Sequence, residues 1–142
     1  HDKFSLAEWI LCGLREGAPL PLLTDVYFNP FVTDALAQLT LTLVEAGASG
    51  TYHLGARDWC SKFAFGVLLA HHAGLDASRL QATSIEAAGF AAPRPKKTWL
   101  SVGKAAAMLG PLPSVEEGIV SFLAGLPAQE AVLEQRGRRA RV

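Results

Sequence analysis

The sequence predicts a helix-rich α/β domain with a few short strands. Helical patterns bounded by capping signals outnumber short apolar runs, and the two kinds alternate along the chain. Of the 142 residues, 50% are hydrophobic and 18% charged, a globular composition on a chain long enough to bury a core.

The first helix is expected from about Leu6 to Arg15. Ser5 and Glu8 form a capping box, each side chain satisfying the other's backbone N–H, and Gly17 suits the left-handed turn that ends a helix. Pro19 to Leu23 reads as a short strand. The segment Asp25-Val-Tyr-Phe-Asn-Pro-Phe-Val-Thr33 reads as a loop, because Pro30 disfavours helix at Asn29. Its clustered aromatics are costly on a surface unless they line a pocket or lock a lid.

A second helix is expected from about Asp34 to Ala46, with Leu36, Leu39, Leu43 and Val44 as its apolar face and Gly47 and Gly50 at its exit. Thr51 to Leu54 reads as a strand ending at Gly55. Ser61 is placed to cap a third helix carrying Phe63, Phe65, Val67, Leu68 and Leu69, which Gly74 ends. Pro93 and Pro95 stiffen an extended linker around Arg94. Ser101 and Gly110 bracket a short alanine-rich helix. Ser114 and Glu117 form a second capping box, opening a helix through Ile119, Val120, Phe122 and Leu123.

Charge balance narrows the partners. The 13 basic and 13 acidic residues cancel, so no overall field steers the chain to nucleic acid or an anionic membrane. The tail carries Arg136, Arg138, Arg139 and Arg141 with no interleaved aromatics, and residues 127–142 read as a basic, solvated end. Every long apolar stretch is interrupted within a dozen residues, so no transmembrane span is expected, and no signal-peptide pattern opens the chain. It opens with His1, the start expected of a processed product or a part of something longer. Cys12 and Cys60 read as small buried hydrophobes in a reducing, cytoplasmic setting.

Several chemistries lack their motif. No G-x-G-x-x-G follows a strand, there is no phosphate loop, and no H-E-x-x-H helix. The Tyr-x-x-x-Lys acid/base pair is missing, since Tyr27 and Tyr52 are followed four residues on by Phe31 and Ala56. His71 and His72 point about 100° apart on one helix, so no metal is predicted. Trp9, Trp59 and Trp99 read as core or interface residues.

The order of five blocks nevertheless resembles a family. D-V-Y-F-N-P-F-V-T-D-A-L-A (Asp25 to Ala37) resembles the Asp-x-x-x-[Ser/Asn]-Pro-x-x-x-x-Asp-Leu-Ala pattern of dTDP-4-dehydrorhamnose reductases, which are extended short-chain dehydrogenases/reductases. Gly50-Thr-Tyr-His-Leu-Gly55 is similar to their Gly-x-Tyr-His-Leu strand, and Ser61 to Phe65 to the helix after it. Arg94-Pro95-Lys96 with Leu100, Lys104 and Leu109-Gly110, then Pro113 to Gly118, resemble the closing blocks. Val26, Phe28 and Phe31 depart from the Gln, Gly and Thr of many relatives, and Lys97 stands where they have Asn, making the expected pocket wall more apolar.

The resemblance implies the C-terminal, substrate-binding half of a Rossmann-type reductase, residues 1–126, that is not catalytic alone. An absent N-terminal half would bind NAD(P) and carry the Tyr/Lys pair. This half would close over a keto-sugar nucleotide, with Asn29 donating to a sugar hydroxyl, Arg94 or Lys96 meeting the diphosphate, and Phe28 or Phe31 packing on a base or sugar. For Asn29 a turn before Pro30 is the plainer reading, and for Arg94 a surface charge is an equal one. Expected partners are the nucleotide sugar and the missing half, with homodimerisation open. Two alternatives stand beside this: a non-catalytic relative such as the regulatory subunit of methionine adenosyltransferase, and a stand-alone helical interaction domain.

Titration calorimetry of the 142-residue chain with NADH and NADPH is expected to show no micromolar binding, because no Gly-rich strand–helix turn is present to cradle a pyrophosphate. Micromolar affinity would contradict this reading.

Overall fold

The computed structural model describes residues 4–126. Five helices, four short strands and one 3₁₀ turn follow in the order α1 (Leu6–Arg15), β1 (Leu20–Leu23), β2 (Tyr27–Phe28), α2 (Thr33–Glu45), β3 (Cys60–Ser61), α3 (Lys62–His72), the 3₁₀ turn (Ala77–Arg79), β4 (Leu80–Thr83), α4 (Gly103–Leu109) and α5 (Val115–Gly125). The expected basic tail lies outside the described residues.

The core forms where β1 and β4 pair in parallel, Leu20 opposite Leu80 and Leu23 opposite Thr83. Helices α1 and α3 pack on this pair, and α5 packs on α3. The strand period of two turns Leu20 and Leu22 inward to meet Ile10, Leu11 and Leu14 of α1 and Phe65, Leu69 and Ala70 of α3. Val115 and Ile119 close the cluster from α5. Gly66 permits the closest approach, since a Cβ there would stand 2.4 Å from Leu22 Cδ1.

Both capping boxes form. Ser5 Oγ accepts from Glu8 N while Glu8 accepts from Ser5 N, and Ser114 and Glu117 repeat the exchange. Ser61 Oγ accepts from Ala64 N, capping α3, and Gly74 ends that helix at φ 65°.

The structure corrects three expectations. Thr51 to Leu54 is not a strand, because no neighbouring segment offers it a backbone ladder among the described residues. A side chain holds it instead: Lys104 Nζ donates to Thr51 O at 3.0 Å and lies 3.9 Å from the Tyr52 ring centre. The Asp25–Thr33 segment is not wholly loop, since Tyr27 and Phe28 pair antiparallel with Ser61 and Cys60. Helix α4 lies between Ser101 and Gly110 as expected, with Val102 at its N-cap and no side-chain cap bond. Finally, α2 buries only Leu43; packed along one side against α4, it leaves Leu36, Leu41 and Val44 exposed.

Leu69 is fully buried at the centre of the core. Leu69→Ala is expected to lower unfolding free energy by about 2–5 kcal/mol, through lost transfer energy and the cavity left behind. Urea denaturation checks this.

Candidate functional site

Three chain segments far apart in sequence meet beside β2: residues 25–31, 55–62 and 94–100. Tyr27 N donates to Lys96 O at 2.7 Å, and Thr98 N donates back to Tyr27 O at 3.0 Å. The 96–98 segment thus runs parallel to β2, with β3 on the other side. Two residues on, Asn29 completes the join. Its Nδ2 donates to Ala56 O at 3.1 Å and Leu100 O at 3.0 Å, and its Oδ1 accepts from Leu100 N at 2.9 Å. Gly55 makes room for this, as a Cβ there would lie 2.7 Å from Asn29 Nδ2.

Both amide hydrogens of Asn29 are therefore committed to backbone carbonyls across 27 and 71 residues of sequence. They are spent on the clamp, which displaces both the sugar-hydroxyl donor and the local turn expected from sequence. Phe28 turns inward, edge-on to Phe65 at 5.4 Å, with Lys62 Nζ 5.4 Å from its ring centre. Phe31 stands between two hollows. One, about 240 Å³, is apolar and lined by Phe28, Phe31, Phe65, Val115, Ile119 and Phe122; the other, about 410 Å³, opens past Phe31 to Arg57, Leu112, Glu117 and Ser121.

The rim of that second hollow is polar. Arg57 pairs with Glu117 at 2.6 Å and donates to Leu112 O, while Asp58 Oδ1 accepts from Val115 N, fastening the 55–59 loop to the start of α5. His72 Nε2 meets Glu116 Oε1 at 2.8 Å, joining the end of α3 to α5. Among the described residues no three His, Cys, Asp or Glu side chains gather to hold a metal ion. Cys12 and Cys60 are free thiols, and burial, then Asp58, pushes Cys60 up to about 11.

The two predicted cations differ sharply. Lys96 Nζ lies 2.9 Å from Asp25 Oδ2 and 2.7 Å from Glu86 Oε1, so two carboxylates already neutralise it. Arg94 is exposed and lies over Phe90, 4.6 Å from its ring centre, with no carboxylate partner among the described residues. The structure thus brings Phe28, Asn29 and Phe31 together and sets Lys96 beside Asp25, with Arg94 a short step along the same segment.

Sequence reasoning missed an aromatic group on the outer face of β2. Trp59 and Trp99 stack at 4.9 Å and 16°, and Tyr27 meets both edge-on at 5.5 and 6.4 Å. Trp59 is 53% exposed, so it is no core residue. The period-two alternation of paired strands could have flagged it, but only once the pairing of 27–28 with 60–61 and 96–98 was known.

Residues 4–127 match the family model of the RmlD substrate binding domain. The probable low-salt glycan biosynthesis reductase Agl14 of Haloferax volcanii is 27% identical over 122 residues, 85% of this chain and 41% of that protein. The dTDP-4-dehydrorhamnose reductase of Bacillus anthracis, solved with NADP, superposes with a TM-score of 0.78 at 23% identity, covering 87% of this chain and 44% of that one. The corresponding protein of Clostridium acetobutylicum gives 0.76 at 20% identity, covering 89% and 45%. The chain spans less than half the length of each of these relatives.

Two predictions follow from the clamp and the charge triad. Asn29→Ala should cost about 1.5–3 kcal/mol of stability and speed hydrogen exchange at Thr98 and Leu100, since it orphans two carbonyls and an amide. Exchange mass spectrometry reads the second effect. Lys96 holds Asp25 and Glu86 below the usual carboxylate range, and Glu86 and Asp25 in turn raise Lys96. Depressed acids stabilise above their ordinary values and lose that contribution as pH falls through the folded ones; a raised lysine loses its contribution only in strong alkali. The gap in melting temperature between wild type and Lys96→Ala should hold from about pH 6 to 9 and shrink below about pH 4.

Proposed function

This chain belongs to the RmlD substrate binding domain family, and on that premise we propose that it is the part of an NAD(P)-dependent reductase that holds a keto-sugar nucleotide during hydride transfer. The carrying observation is the clamp, which fixes residues 25–31 and 94–100 as one surface although about 70 residues separate them. In this reading residues 1–126 make up the substrate part, and the dinucleotide-binding half lies elsewhere in the reductase.

The turn after β1 does not fit a nicotinamide cofactor. The turn after β1 offers Asp25, a carboxylate bound to Lys96 and to Ile85 N, where a pyrophosphate would need free N–H groups and no negative charge. No hydride or proton step is assigned to residues here. Their work is to bind and orient. Arg94 takes the diphosphate, because its planar guanidinium binds phosphate oxygens in pairs and no carboxylate among the described residues neutralises it. Lys96 braces the 94–100 segment through Asp25 and Glu86. Phe31 forms the wall against which the sugar nucleotide packs, Phe28 supports it from within, and Asn29 positions the whole loop.

Family membership disfavours the stand-alone helical domain. The relatives described above are named as reductases, which favours a catalytic setting over a purely regulatory one. In the longer reductase, Arg94→Ala should raise the Michaelis constant for the sugar nucleotide roughly ten- to a hundredfold while leaving cofactor affinity unchanged. Steady-state kinetics with a parallel cofactor titration checks this; a variant within twofold of wild type removes Arg94 from the site.

A further inference from the structure

The outer face of β2 carries a preorganised aromatic surface. Pairing places Tyr27 opposite Ser61 in the antiparallel partner and beside Lys97 in the parallel one. With side chains alternating between faces, Tyr27, Trp59, Lys97 and Trp99 share one face while Phe28 takes the other, in the core. Tyr27 stands edge-on to both tryptophans and holds their rings nearly parallel. Lys97 Nζ lies 5.7 Å from the centre of Trp99.

Two properties of this group point to a ligand. A half-exposed tryptophan leaves a large apolar surface in water, a cost that a stacked ring would remove. Lys97 has no carboxylate partner among the described residues, in contrast to its neighbour Lys96, which has two. A flat ring with an anionic group a few ångströms away answers both features at once. A neutral pyranose would leave the cation unanswered.

We infer that Trp59 and Trp99, with Lys97 at their edge, form a stacking shelf for the nucleobase of a nucleoside diphosphate. The inference rests on the sugar-nucleotide reading above and deepens it by assigning the base end of that substrate to Trp59, Trp99 and Lys97, none of which carries the family resemblance. Lys97 meets the α-phosphate and Arg94 the further one. Stacking is tolerant of base identity, so thymine and uracil bind alike and the shelf contributes affinity more than base selectivity.

The test is a titration of the full chain with dTDP, UDP and thymidine, read by tryptophan fluorescence and calorimetry. Saturable quenching by both diphosphates is expected, weaker for thymidine. Trp59→Ala should lower dTDP affinity at least about tenfold and Trp59→Phe much less, since a phenyl ring still stacks. Lys97→Ala should weaken dTDP and spare thymidine, and Trp9→Phe should change nothing but the fluorescence baseline. Unchanged melting curves would show that the variants fold. If Trp59→Ala leaves dTDP affinity intact while Arg94→Ala lowers it, the shelf is wrong and the sugar-nucleotide reading stands. If wild type binds no nucleoside diphosphate, both fall. Tighter, Trp59-dependent binding of oligo(dT) than of dTDP would assign the shelf to single-stranded nucleic acid and overturn the inference.

Discussion

One side chain joins the three chain segments that meet beside β2. Asn29 lies just before Pro30, and its amide spans from the 55–59 loop to Leu100 with every hydrogen used. Without it, the 94–100 segment would be held by the two backbone bonds and the hydroxyl of Thr98 at Tyr27, and by Lys96. Because an amide donates and accepts at fixed geometry, it sets both the distance and the register of the two segments. The candidate diphosphate and base contacts all inherit their placement from that register.

Electrostatics divides the labour among neighbouring cations. Lys96 is consumed in bracing, held between Asp25 and Glu86, whereas Arg94 and Lys97 rest on aromatic rings. A cation on a ring keeps its charge available to an anion; a cation between carboxylates does not. This is why adjacent residues of one short segment are assigned opposite roles.

Much of the fold was legible in the sequence where local rules govern. Ser5 with Glu8, Ser61, and Ser114 with Glu117 announce helix starts through bonds made within four residues, and all three caps form. Strands were harder, because a strand exists only through its partner. Thr51 to Leu54 reads as a compact strand but finds no ladder among the described residues, while Leu80 to Thr83 is a strand because β1 lies alongside it. The same reason hid the grouping of Tyr27, Trp59 and Trp99 and the hydrogen bonds of Asn29, both of which depend on contacts across roughly thirty to seventy residues. The family blocks, by contrast, are patterns in order and spacing, and they singled out residues 25–31 and 94–100, which the structure brings together.

The central claim is that residues 25–31 and 94–100 form one sugar-nucleotide surface. Hydrogen exchange on the chain, with and without a dTDP-sugar, tests it most directly. The account predicts added protection in those two segments, with the Tyr27, Thr98 and Leu100 amides among the protected sites, and little change in α2. Protection centred on α2 or on the His72–Glu116 edge, with none at 25–31 and 94–100, would contradict it.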